Sequence, residues 1–258
     1  MDIKEQTSHI RRTSPIVANI TNGVVMNFTA NALLAIGASP VMFNAADEAR
    51  TVATAASSLV VNIGTLDNTQ LDSIALAMRA MNRSGKPVVF DPVGAGFTPY
   101  RNRACLRILT ENNVDIIKGN ASEILALASR HCLDLPGMND VETRGVDAIM
   151  RTDVALEAAR LIAQKLSCIV VVSGETDIIT DGHRVERIEI STPIMTKVTG
   201  MGCVATAIVA AYAAVESDNF GAATAGMTAM AVAGRKAAEE SSGPGTFVAK
   251  FLDNLYLL

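Results

Sequence analysis

Short apolar runs recur along the chain, each followed by a stretch of helical length. Ser58-Leu-Val-Val-Asn62, Pro87-Val-Val-Phe90, Val114-Asp-Ile-Ile117 and Cys168-Ile-Val-Val-Val172 are rich in β-branched residues, and the segments between them are amphipathic or alanine-rich. A strand with one face in water alternates apolar and polar residues. Runs that are apolar at nearly every position are expected where both faces are covered, as in a parallel sheet between two layers of helices. Pro15 to Ile20 and Ser39 to Phe43 read as two more strands, around a helix from about Val24 to Ile36.

The pattern changes after the last of these runs. Asp177-Ile-Ile-Thr180 and the segment His183 to Ile190 flank Asp181-Gly182, which predicts a β-hairpin closed by a two-residue type I′ turn. Two helices rich in Ala and Gly follow, about Gly202 to Val215 and Phe220 to Glu240, and Gly243-Pro244-Gly245 opens a terminal helix to Leu258. No linker, internal repeat or low-complexity tract interrupts the order, so a single domain over residues 1–258 is expected.

Composition narrows the function classes. Hydrophobic residues make up 49% of the 258 and charged residues only 19%, with a mean hydropathy of +0.29, which calls for a large core, a buried subunit interface, or both. A formal charge of −4 leaves no basic footprint for nucleic acid. Cys105, Cys132, Cys168 and Cys203 are far apart with no C-x-x-C pair, against a zinc site or a disulfide framework and in keeping with a reducing cytoplasm. The polar segment Met1 to Ser14 has no signal-peptide pattern. Val198 to Val215 is free of charge but rich in Ala, Gly and Thr, so a helix buried on all sides is expected there rather than a membrane span.

In an open parallel sheet ligands gather beyond the carboxyl ends of the strands, so the polar residues that close each apolar run are the candidates. Asp91-Pro-Val-Gly-Ala-Gly96, Lys118-Gly119-Asn120-Ala-Ser-Glu123 and Ser173-Gly174-Glu175 offer a carboxylate, a cation with an Asn/Glu pair, and a hydroxyl beside a glycine. Each also has a purely structural explanation: a turn start at Asp91-Pro92, an N-cap with its reciprocal acid at Asn120 and Glu123, a plain loop at Ser173-Gly174. Thr199-Gly-Met-Gly-Cys203 is more specific. Its glycines let backbone approach a ligand, and the helix that follows presents free N–H groups and a dipole to an anion. Cys203, in the first turn of that helix, is expected to have a lowered pKa. Two other phosphate motifs are excluded: Pro99 breaks the dinucleotide fingerprint that Gly94 and Gly96 begin, and Gly85-Lys86 has Ala80 where a P-loop needs glycine.

Six ordered motifs, Ile20-Thr-Asn-Gly-Val-Val-Met-Asn-Phe-Thr-Ala-Asn31, Gly37-Ala-Ser-Pro-Val-Met42, Asp91 to Gly96, Gly119-Asn-Ala-Ser-Glu123, Val172-Ser-Gly-Glu175 and Thr199 to Cys203, give the chain a resemblance to the hydroxyethylthiazole kinases over nearly its whole length. The resemblance implies a ribokinase-like α/β fold, a three-layer sandwich with a mostly parallel central sheet. It implies ATP-dependent phosphorylation of 4-methyl-5-(2-hydroxyethyl)thiazole in thiamine salvage. Met42, Gly200 and Asn22 would then meet the thiazole, Lys118 and Ser173 would meet ATP, and Asp91 and Glu123 would organise Mg2+ through water. Gly200, Gly202 and Cys203 would form the catalytic turn, with cysteine where the wider superfamily carries an aspartate base. Lys118 departs from the family's usual arginine and lacks its bidentate fork. A homotrimer with shared thiazole sites is also implied, with no nucleic-acid or membrane partner. The alternatives are a hydroxymethylpyrimidine kinase of the same fold, a cysteine-nucleophile enzyme served by His9, His131 or His183, and a non-catalytic binding protein.

Overall fold

The computed structural model describes residues 3–129, 131–138 and 148–258. The elements run α1 (Ile3–Thr13), β1 (Ile16–Ile20), α2 (Met26–Ile36), β2 (Ser39–Met42), α3 (Ala46–Ala55), β3 (Ser58–Asn62), α4 (Asn68–Arg83), β4 (Val88–Asp91), α5 (Pro99–Glu111), β5 (Ile116–Asn120) and α6 (Ala121–Ala128). Then come α7 (Ala148–Leu166), β6 (Ile169–Ser173), β7 (Asp177–Thr180), β8 (Val185–Ile188), α8 (Met201–Ala213), α9 (Asn219–Glu239) and α10 (Pro244–Tyr256).

One sheet of eight strands has the order β2-β1-β3-β4-β5-β6-β7-β8, with β1 to β6 parallel and β7 and β8 antiparallel. Successive strand residues feed two separate cores. Leu59 and Val61 of β3, Val88 and Phe90 of β4, and Val170 and Val172 of β6 pack under α3 to α7. Val60, Val89 and Val171, pointing the other way, pack under α1, α2, α8, α9 and α10. Two cores on opposite faces explain why the runs show no alternation: every position is interior, whichever way it points.

Burying α8 all round bears out the expectation for Val198 to Val215, since eleven residues from Met201 to Ala213 are buried and the helix has only 13 residues. Among the described residues no helix is long and apolar enough to cross a membrane.

The hairpin forms, but its turn differs from the expected one. Thr180 pairs with Val185, so the loop holds Asp181, Gly182, His183 and Arg184, and of these only Gly182 has a positive φ, +94°. A type I′ turn would need positive φ at both central residues. Side chains select the longer loop: the Asp181 carboxylate accepts from the His183 and Arg184 amides at 2.9 and 2.7 Å, and Thr180 Oγ1 donates to the Arg184 carbonyl at 2.7 Å.

Candidate active site

The strand order reverses between β1 and β3, because the chain leaves β1 toward one edge and returns on its other side. A crevice at the carboxyl ends of the strands is expected there. Asn22 follows β1, Asn62 ends β3 and Asp91 ends β4, and the three are joined. Asn22 Nδ2 donates to Asn62 Oδ1 at 2.9 Å, and Asn62 Nδ2 donates to Asp91 Oδ2 at 2.9 Å. Asn22 Nδ2 also lies 3.4 Å from Cys203 Sγ. Asn22, Asn62 and Asp91 are all buried, Asp91 being 2% exposed.

The register of the sheet aligns the next candidates. Asn120 pairs with Ser173 and Gly119 with Val172, and Ser173 Oγ donates to the Gly119 carbonyl at 3.3 Å. Asp91 and Ser173 are therefore the last residues of β4 and β6, and Lys118 is the middle residue of β5, instead of following the strands. Parallel pairing carries each strand slightly past its apolar run, until a polar side chain reaches the rim.

Helix α8 is fastened to these strand ends through its first turn. Lys118, 3% exposed, donates from Nζ to the Gly202 carbonyl at 3.1 Å, and Thr206 donates to Asp91 Oδ2 at 2.7 Å. The first intrahelical bond runs from the Val204 amide to the Gly200 carbonyl, so the amides of Met201, Gly202 and Cys203 precede the helical ladder and face the crevice rim. Gly200 is obligatory at the N-cap: its φ is +86°, and a Cβ there would stand 2.5 Å from Val25 Cγ1.

Charge in the crevice is arranged against ionisation at the end of β4. Burial, partly offset by Lys118 and reinforced by Glu123, pushes the Asp91 carboxyl up to about 6. Cys203 contradicts the sequence expectation. Its thiol pKa is raised, by burial first and by the Asp91 charge second, while the amides of Asn62 and Asn22 and the charge of Lys118 pull the other way. Cys203, half-buried, is still distinct from Cys105, Cys132 and Cys168, which are buried.

Glu123 satisfies the structural and the functional reading at once. Its carboxylate accepts from the Asn120 amide at 2.8 Å, closing a capping box on α6, and its other oxygen accepts from the Gly94 amide at 2.9 Å. That bond draws the loop after β4 toward β5 and places a second carboxylate within electrostatic reach of Asp91.

Next to this polar cluster lies a cavity of about 750 Å³, lined by Lys118, Ser173, Gly174, Gly200 and Gly202 at one end. Met195, Met227, Met230, Ile190 and Pro193 line much of the remainder, together with the polar side chains of Glu175, Asp177, Ser191, Thr192 and Thr196. Asn22, Asp91, Cys203 and Glu123 sit outside it, beyond the first turn of α8. Met42 ends β2 one strand beyond Asn19, half-buried, and no hydrogen bond ties it to the cluster. The structure thus joins Asn22, Asp91, Lys118, Gly202 and Cys203 into one network and leaves Met42 at its outer margin.

Two members were missed in the sequence. Asn62 was visible as the polar end of an otherwise apolar run, and Thr206 as a hydroxyl three positions after Cys203 in an apolar helix. No histidine joins Cys203: His183 is exposed in the hairpin loop, His131 lines a separate cavity with Arg103, and His9 lies on α1. Among the described residues no cluster of three or more His, Cys, Asp or Glu side chains is placed to hold a metal by itself.

Comparison with known proteins identifies the family and the fold. The model of the Hydroxyethylthiazole kinase family matches residues 7–258. A hydroxyethylthiazole kinase from Tolumonas auensis is 46% identical over 251 residues, covering 96% of this chain and 90% of that protein. The structure of hydroxyethylthiazole kinase from Pyrococcus horikoshii superposes with a TM-score of 0.87 at 38% identity, covering 99% of this chain and 93% of that one. A ribokinase-like superfamily protein from Enterococcus faecalis shares the fold alone, with a TM-score of 0.65 at 13% identity over 96% of this chain and 88% of that one.

Proposed function

The chain belongs to the hydroxyethylthiazole kinase family, and from that premise we propose that it moves the γ-phosphoryl group of ATP onto the hydroxyl of 4-methyl-5-(2-hydroxyethyl)thiazole at the first turn of α8. The observation that carries the site is the adjacency of two unlike compartments on either side of that turn: a roomy, methionine-lined cavity ending at Lys118 and Ser173, and a tight polar cluster holding Asn22 and Cys203.

In this reading the nucleotide fills the cavity, its phosphates turned toward Lys118, Ser173 and the free amides of Met201, Gly202 and Cys203. The alcohol enters between Asn22, Gly200 and Met42. The alcohol oxygen forms a bond to the γ-phosphorus as the bond from that phosphorus to the ADP oxygen breaks, and the alcohol proton leaves late. Preorganised amides stabilise the charge on the transferring group and need no reorganisation during the step. With its pKa raised, Cys203 acts mainly as a neutral thiol that orients the alcohol, and base catalysis contributes little.

Magnesium suits the residues present. Asp91 Oδ2 takes both hydrogen bonds, from Asn62 and Thr206, so Oδ1 is the oxygen left for a cation's water, and Glu123 supplies a second negative charge. One or two carboxylates with substrate phosphates and waters is the ordinary surrounding of this ion. When bound, it would neutralise charge on the phosphates. Four free thiols accord with a reducing cytoplasm. Exposed Val24, Leu34, Tyr256 and Leu257 give an apolar surface in keeping with a homotrimer, which sedimentation would test.

ADP release, measured with this thiazole alcohol and with hydroxymethylpyrimidine, decides the substrate. Turnover that requires the pyrimidine and ignores the thiazole would overturn the proposal.

A further inference from the structure

The amide of Asn62 has its orientation fixed at both ends. Its Oδ1 accepts from the Gly64 amide at 3.0 Å, so that atom must be oxygen, and its Nδ2 therefore faces Asp91 Oδ2 at 2.9 Å. Asn22 is fixed in the same way, since its Oδ1 accepts from the Val24 amide at 3.2 Å. Asn22 Nδ2 is thus turned to Asn62 Oδ1 at 2.9 Å and Cys203 Sγ at 3.4 Å. Gly64 leaves no room for anything else: a Cβ there would stand 2.7 Å from Asn22 Nδ2. Arg101 holds the same loop by donating to the carbonyls of Ile63, Gly64 and Val93 at 2.5 to 2.7 Å.

The bonds are ordered in one sense. Asp91 Oδ2 fixes the Asn62 amide, Asn62 Oδ1 takes one hydrogen of Asn22 Nδ2, and the second hydrogen of that nitrogen is thereby held toward Cys203 Sγ. We infer that Asn62 is a positioning residue that couples the Asp91 carboxylate to the Cys203 sulfur through Asn22, so that the metal side and the alcohol side of the site are set by one amide relay. This rests on the kinase reading only for its effect on turnover; the coupling itself is a property of the protein without substrates.

The test replaces Asn62 by Leu, with Val61→Ala on the same strand as a control that loosens the core on the opposite face of the sheet. Cys203 alkylation by iodoacetamide is followed by mass spectrometry at one pH in nucleotide-free, metal-free protein, since the other three cysteines are buried. Asn62→Leu is expected to slow alkylation of Cys203 about fivefold and to lower kcat about tenfold with the KM for ATP within about twofold, the scale of one strong polar interaction lost. Val61→Ala is expected to lower the melting temperature and move neither. Alkylation as fast as in the parent, or faster, in a folded Asn62→Leu protein would overturn the relay. If Asn62→Leu does not fold, Asn62→Ala removes the same amide without adding charge, and the same two readings decide. Slowed alkylation without any thiazole kinase activity in the parent would refute the kinase reading and leave the relay standing.

Discussion

The two halves of the site are built on opposite plans. The cavity proposed for the nucleotide is wide, with methionines and other apolar side chains beside polar ones that include Lys118, Ser173, Glu175, Asp177 and Thr192. The alcohol side is a closed set of hydrogen bonds in which Asn22, Asn62, Asp91 and Thr206 are all buried and each is tied to another. A loose half can accept a large, flexible ligand by burial. A tight half can discriminate, because an ill-fitting group would leave buried donors or acceptors unpaired, and that is costly. The first turn of α8 serves both, and substitutions there should separate them.

Gly200→Ala should do the most damage, since the added Cβ meets Val25 and the positive φ is lost to strain. A fall in kcat on the order of 10³-fold is expected, seen in steady-state ADP release, as for loss of an oxyanion-type donor set. Acid should act next, and only through the tight half. Protonation of Asp91 as the pH drops below about 6 is expected to lower kcat/KM by about tenfold per pH unit, while the KM for ATP changes less.

The same carboxyl affects stability with the opposite sign. Its folded pKa lies above its ordinary value, so between about pH 4 and 6 the folded protein binds more protons than the unfolded chain. The metal-free parent should therefore gain stability relative to Asp91→Asn as pH falls through that window, which paired melting curves would show. A difference in melting that is flat with pH would mean that Asp91 is not desolvated as described.

Cys203→Ala should retain activity, reduced about tenfold in kcat, and Cys203→Asp should keep or raise it, because the amides and charges around the phosphates carry the larger share. Abolished turnover in a well-folded Cys203→Asp protein would show instead that the neutral thiol itself is required at this position. The smallest effect is expected at Gly202→Ala. The new Cβ would stand 3.1 Å from Lys118 Nζ, the mobile end of a long side chain, so a KM for ATP raised about threefold with kcat nearly unchanged would mark Gly202 as part of the loose half.

Legibility in the sequence followed the range of the interactions. The strands at 58–62, 88–91 and 169–173 were readable within one or two residues because burial on both faces leaves an unbroken apolar run. The hairpin was readable as a hairpin, yet its turn was not. Asp-Gly encodes a short turn locally, but the Asp181 and Thr180 side chains bind backbone further on and stabilise a longer loop. Lys118, Ser173, Asp91 and Glu123 could be named from their places after apolar runs. Asn62 escaped notice because a lone Asn at the end of a strand has the same local pattern as a turn residue.

What the sequence determined by itself is the layering, the glycine turn before α8, and the family, since six ordered motifs and a hydrophobic period are properties of the chain read in line. Tertiary structure alone decided which polar residues touch and in what protonation state. Asn22, Asn62, Asp91 and Cys203 meet only because β1, β3, β4 and α8 converge at the point where the sheet reverses direction. The thiol that local helix electrostatics would have made acidic is made less so by burial and by a carboxylate far away in sequence. Desolvation depends on everything packed around a group, and no window of sequence contains that information.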